Sequence, residues 1–228
     1  MHIGLIGGIG PAATIVYYQR LCAEMRTRGH PLELTIVQAD VDELVRNNLA
    51  DDRDAQVAVY LGLIKRLQAA GADCAAITSL GGHFCYDETR AQSPLPLVSA
   101  VEPLVAFFAE QGLQTVGLLG IDVVMRTRLY GQLQHTKAVI PTDVLDLVAE
   151  TYRNMAIRGA CHENERAIFF NAAQRMVDEQ NAEAIVLAGT DLGLAFDGYD
   201  RGYRVIDALD VHVALLADLA CGARSLEE

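Results

Sequence analysis

The sequence predicts an α/β protein built from two pseudo-symmetric parallel-sheet lobes with helices on both faces. Three observations carry this prediction. Short, apolar, β-branched segments alternate with longer segments of helical period, two landmarks recur at nearly one spacing, and no linker rich in Pro, Gly or Ser breaks the alternation. With 228 residues, 51% hydrophobic and 21% charged, the chain can bury one large core or two smaller ones.

Strands are expected at 3–6, 34–38, 74–78, 116–119 and 184–188, each an apolar run of the kind that parallel strands buried on both faces require. Helices are expected over 11–28, 52–70, 101–111, 144–158 and 163–179, where apolar residues recur at three and four. Gly4-Leu5-Ile6-Gly7 is echoed by Gly117-Leu118-Leu119-Gly120, an offset of 113. Gly71-Ala72-Asp73-Cys74 is echoed by Asn181-Ala182-Glu183-Ala184, an offset of 110. A duplicated unit follows, with one lobe over 1–98 plus about 207–228 and the other over 99–206. Loops at the carboxyl ends of strands make ligand sites in open α/β sheets, so a cleft between the lobes is the expected place for a small anion.

Eighteen Lys and Arg against 30 Asp and Glu leave a net charge of −12, which repels nucleic acid and anionic membrane. An anionic ligand must therefore be held by local N–H groups or a few placed side chains. No apolar run is long enough to cross a bilayer, and the opening residues enter strand-like sequence directly, so a cytoplasmic protein is expected. The five cysteines, Cys22, Cys74, Cys85, Cys161 and Cys221, contain no Cys-x-x-Cys pair, and neither His83-x-Cys85 nor Cys161-His162 has a second cluster at zinc spacing. No metal and no disulfide framework is expected.

Gly8-Ile9-Gly10-Pro11-Ala12-Ala13 matches the Gly-x-Gly-x-x-Ala pattern of dinucleotide sites, with Asp40 near the place of a ribose-binding acid. Pro11 argues against that reading, because it removes an N–H a pyrophosphate would use, while suiting the first turn of a helix. Thr78-Ser79-Leu80-Gly81-Gly82-His83 and Gly189-Thr190-Asp191-Leu192-Gly193 follow the repeated strands. Their small and hydroxylic residues suit a carboxylate held by main-chain N–H groups, and they equally suit helix capping by Ser79, Thr190 or Asp191. His83 is a candidate acid or base and equally a structural histidine. Tyr17-Tyr18 and Phe169-Phe170 fall in helical period and read as core. The stretch 197–203 reads as a surface loop with solvated charges, or as an edge of the cleft.

The opening run from Ile3 to Thr14 with Tyr17-Tyr18 resembles the first strand, loop and helix of the pyridoxal-independent aspartate/glutamate racemases. Gly71-Ala72, His83, Gly120, Met125, Tyr130, Pro141, Gly189-Thr190-Asp191, Ile206-Asp207 and His212 fall in register with the same family. The resemblance implies a cofactor-independent enzyme, a homodimer and an acidic amino acid or small dicarboxylate as substrate. It also implies one cysteine in each half, on opposite sides of the substrate α-carbon. Those two positions fall here on Thr78 and Gly189. A threonine hydroxyl is a weaker acid than a thiol of pKa ~8.5 by roughly five or more units, and glycine has no side chain, so the two-thiol reaction is not expected.

Two functions remain open at this level. One is a racemase, isomerase or lyase with altered acid–base groups, drawn from Asp191, His83, His212 and Asp207, with Cys85 as an outside candidate for a relocated thiol. Its substrate carboxylate would be held by Gly8, Thr14, Ser79, Leu80, Thr190 and His212. The other is a homologue that binds an amino acid or small carboxylate without turning it over.

Overall fold

The computed structural model describes residues 1–8 and 10–226, and the chain divides into two compact units, Met1–Ala100 with Leu209–Glu228 and Val101–Ala208. Elements are numbered in chain order. Unit 1 holds β1 (His2–Gly7), α1 (Pro11–Arg28), β2 (Glu33–Gln38), α2 (Val41–Leu49), α3 (Arg53–Ala69), β3 (Cys74–Ile77), a 3-10 turn over Gly81–Cys85, α4 (Tyr86–Gln92), β4 (Leu97–Val98) and α10 (Ala208–Cys221). Its sheet runs β2-β1-β3-β4, parallel throughout, with Ile3 opposite Cys74 and Leu5 opposite Ala76.

Unit 2 holds α5 (Glu102–Glu110), β5 (Thr115–Gly120), α6 (Asp122–Arg126), β6 (Lys137–Val139), α7 (Leu145–Arg158), α8 (Glu163–Gln180), β7 (Ala184–Ala188), α9 (Gly193–Phe196) and β8 (Val205–Asp207). Its parallel sheet runs β6-β5-β7-β8, the order of unit 1 displaced by four strands. The repeated landmarks therefore mark β1 with β5 and β3 with β7, the two central strands of each sheet. All residues of β3 and β7 are buried, which is why these strands read as unbroken apolar runs.

Three edge strands escaped the sequence reading: β4, β6 and β8, two or three residues long and too short to show a period. Asp40 caps α2 rather than meeting a ribose, its carboxylate accepting the Glu43 N–H at 2.9 Å. Pro11 does occupy the first turn of α1, behind an uncapped Gly10; Ile9 of the glycine motif lies outside the described residues. Tyr17, Phe169 and Phe170 are core, but Tyr18 is 51% exposed, because it points about 100° round α1 from Tyr17 and off the buried face of that helix. The 197–203 loop lies mostly at the surface, yet its charges are not simply solvated: Arg201 stacks on Phe170 at 4.1 Å from the ring centre. Among the described residues, no helix is long and apolar enough to cross a membrane.

Candidate functional site

The loops after β1 and β3 are neighbours in unit 1 because the strands pair side by side, Ile6 opposite Ile77. Thr14, in the first turn of α1, and Thr78, one residue beyond β3, meet through their hydroxyls at 3.1 Å, both buried. Thr78 Oγ1 donates to the Ile6 carbonyl at 2.9 Å. That uses its one proton, so Thr14 is the donor within the pair. Gly8 passes close to Ser79: a Cβ at position 8 would stand 3.1 Å from the Ser79 Cβ. Gln38 fixes the same turn, its Nε2 donating to the Gly8 carbonyl at 3.1 Å and to the Ala39 carbonyl at 2.9 Å. Sequence reasoning missed Gln38, which carries no motif of its own.

His83 is engaged at both ring nitrogens. Its Nδ1 lies 2.9 Å from the Ser79 carbonyl, and the Ala100 N–H donates to Nε2 at 3.0 Å. A main-chain N–H can only donate, so Nε2 is the acceptor and the ring proton sits on Nδ1. The ring stacks on Tyr86 with centroids 5.1 Å apart. Burial lowers its pKa to about 4, against a partial opposing effect of the Ser79 carbonyl, so the imidazole is neutral near pH 7. Leu80 is buried, and its carbonyl accepts the His83 N–H at 3.1 Å.

His212, on α10, lies within the unit 1 interior with no exposure, its Nδ1 2.8 Å from the Tyr17 hydroxyl. Burial, and secondarily His83, lowers its pKa to about 3. Among the described residues its Nε2 has no hydrogen-bond partner. Asp207 closes β8 in unit 2 and is partly buried.

In unit 2 the residues after β7 converge on a tyrosine that the sequence did not single out. A Cβ built on Gly189 would fall 2.4 Å from Tyr152 Cε2 and 2.9 Å from its hydroxyl. The Tyr152 hydroxyl donates a long bond of 3.3 Å to Asp191 Oδ2 and also lies beside the Thr190 hydroxyl. Tyr152, Thr190 and Asp191 are all buried. Burial first, and the Asp191 charge second, raise the Tyr152 pKa well above its ordinary value, so the phenol keeps its proton and acts as a donor. Tyr152 sits at an apolar phase of α7, where helical period alone reads it as core.

The N-cap positions of these loops fall one residue beyond Ser79 and Asp191. The turn at Gly81–Cys85 starts from Leu80 and α9 from Leu192, neither with a side-chain cap. Of the sequence candidates, Gly8, Thr14, Thr78 and Ser79 come together in unit 1, with His83 tied behind Ser79. Gly189, Thr190 and Asp191 come together in unit 2. Cys85 is buried, bonded to Thr89 and Gly82, and pushed up to about 11 by burial, so it offers no thiolate near neutral pH. Among the described residues no group of three or more His, Cys, Asp or Glu is placed to hold a metal ion.

A family model described as Asp/Glu/Hydantoin racemase matches residues 6–216. Several solved structures share the fold. An aspartate racemase homologue from Pyrococcus horikoshii is 22% identical with a TM-score of 0.78, over 96% of this chain and 99% of that one. The aspartate racemase of Picrophilus torridus is 18% identical with a TM-score of 0.77, over 97% of this chain and 95% of that one. The glutamate racemase of Francisella tularensis, solved with D-glutamate, is 12% identical with a TM-score of 0.66, over 97% of this chain and 81% of that one.

Proposed function

The chain belongs to the Asp/Glu/hydantoin racemase family, and from that membership we propose that it is a cofactor-independent isomerase-type enzyme acting on an acidic amino acid or small dicarboxylate. In this reading Asp191, rather than one of a pair of thiols, takes the α-proton as the carboxylate, and water returns a proton to the opposite face of the planar carbanion. The observation that supports it is the buried Asp191 carboxyl group after β7, held by a phenol that cannot itself serve as base.

Within unit 1 a substrate carboxylate falls to Ser79, since the Thr14 and Thr78 hydroxyl protons are already used, and within unit 2 to Thr190. His83 is a positioning residue for Ser79, since neither ring nitrogen is free for proton transfer. Thr78 neither abstracts nor donates to a carboxylate: its hydroxyl and its main-chain N–H both serve the Ile6 carbonyl, which holds the loop after β3 in place. The same reading carries a homodimer, checked by sedimentation equilibrium.

A second reading is a protein that binds the ligand without turning it over, and the engagement of Thr78 and His83 by main chain favours it. The two are separated by following α-proton exchange of aspartate and glutamate in deuterated water by NMR, without added pyridoxal cofactor, alongside calorimetric titration. Exchange that falls at least ~100-fold in Asp191→Asn supports the enzyme. Unchanged exchange in that variant removes Asp191 from the chemistry. Saturable binding with no exchange in the unaltered chain establishes the binder.

A further inference from the structure

We infer that Tyr152 and Gly189 form a matched pair, the phenol ring standing where a side chain at position 189 would go, and that Tyr152 is thereby the positioning residue for the Asp191 carboxyl group. The inference rests on the proposed role of Asp191 for its functional meaning, but not for its geometry.

Gly189 is not among the glycines with positive φ, so its backbone alone would accept other residues. What excludes them is one edge of a ring. A Cβ at 189 would meet Tyr152 Cε2 at 2.4 Å, Cζ at 2.6 Å and the hydroxyl at 2.9 Å. The ring is buried and its far end is bonded to Asp191, so it cannot swing aside without losing that bond. Nor can the main chain recede. A Cβ at Gly120, on the neighbouring strand, would already stand 2.4 Å from the Ala188 carbonyl carbon and 2.6 Å from the Gly189 nitrogen. The 188–189 backbone is thus confined by bare main chain on one side and by the phenol on the other.

That confinement delivers the Tyr152 hydroxyl to Asp191, two residues beyond the glycine it covers. The groups acting on the phenol are the Asp191 carboxylate and main chain and the Thr190 hydroxyl. A donor held against a carboxylate oxygen fixes the orientation of the group and favours the charged form of the acid. A side chain introduced at 189 alone, cysteine included, therefore meets an occupied space.

The test uses the full-length protein and the variants Gly189→Ala, Tyr152→Ala, Tyr152→Phe and Tyr152→Ala/Gly189→Ala. Gly189→Ala is expected to lower the thermal midpoint by roughly 5–10 °C, as overpacking does in a chain of this size. Adding it to Tyr152→Ala should lower the midpoint no further. If Gly189→Ala yields no folded protein, the double variant should restore folding. Tyr152→Phe keeps the ring and should melt close to the parent. In carbonyl-13C-aspartate protein, however, the Asp191 resonance, identified by its loss in Asp191→Asn, should titrate at higher pH in Tyr152→Phe. A Gly189→Ala protein as stable as the parent, or a double variant that melts well below Tyr152→Ala, overturns the matched pair. An unmoved Asp191 titration in Tyr152→Phe overturns the positioning role. If the unaltered chain neither binds nor exchanges an acidic amino acid, the proposed function fails while the melting and titration results still decide this inference.

Discussion

Mild acid should destabilise this protein through two buried histidines. His83 and His212 are neutral in the folded chain because burial depresses them from an ordinary 6.5 to about 4 and about 3. Between those values the unfolded chain binds protons that the folded chain refuses, so stability is complete above the unfolded pKa and drains away as pH falls through it. From about pH 7 to about pH 5, each histidine accounts for a loss of about 2 kcal/mol, and the pair for about 3–4 kcal/mol. Exposed carboxylates add little in this window, since their ordinary pKa values lie near 4. Urea unfolding at about pH 7, 6 and 5, extrapolated linearly to water, measures the loss. His83→Gln supplies the control, because an amide still offers a donor and an acceptor to the Ser79 carbonyl and the Ala100 N–H but does not titrate over this range. The difference between pH 7 and pH 5 should shrink by about 2 kcal/mol in that variant. A parent protein whose stability is flat over the window, or a variant with the full dependence of the parent, would refute the reasoning.

Three further outcomes follow from particular contacts. Asp40→Ala removes the cap of α2 and should cost about 1 kcal/mol, seen as a melting midpoint lower by about 2–4 °C, while nicotinamide dinucleotides shift neither protein. Thr78→Val leaves the Ile6 carbonyl with the main-chain N–H of residue 78 alone and takes the acceptor from the Thr14 hydroxyl, and should cost about 1–3 kcal/mol in urea unfolding, whereas Thr78→Ser should stay near the parent. Alkylation followed by peptide mass mapping should label Cys221 well before Cys74 or Cys85. Hydrogen bonding from the Ala223 main chain, and then from Arg28, lowers the first thiol, while burial pushes the other two up to about 11.

The features legible in the sequence are those written in local period or exact repetition. β1, β3, β5 and β7 announce themselves as apolar runs because they are buried on both faces, and the Gly-Leu-Ile-Gly echo gives away their equivalence. Edge strands such as Leu97–Val98 leave no such trace, since two residues hydrogen-bonded on one side need no pattern. For the same reason half of the candidate site was visible and half was not. Thr78, Ser79 and Asp191 follow their strands and could be found by position. Tyr152 is 37 residues before Gly189, on a helix, at a phase where any large apolar residue would serve, and only three dimensions reveal which backbone it covers. The partners of His83 were invisible, because a main-chain carbonyl and a main-chain N–H have no sequence signature.

Unit 1 is assembled from both ends of the described chain. The Met1 ammonium donates to the Ala220 carbonyl at 3.0 Å, Arg28 reaches Asp218 at 190 positions' separation, and Tyr17, Leu21 and Met25 share one core with Val213, Leu216 and Ala217. Unit 2 is a single uninterrupted stretch. On the ribosome the order of completion is therefore inverted: the later stretch can close first, while the apolar side of α1 and β1 waits for α10, an interval on the order of ten seconds or more at ordinary synthesis rates. A nascent chain with that face open is the form of this protein most exposed to chaperones and to aggregation, and a stop codon ahead of α10 would make that form permanent.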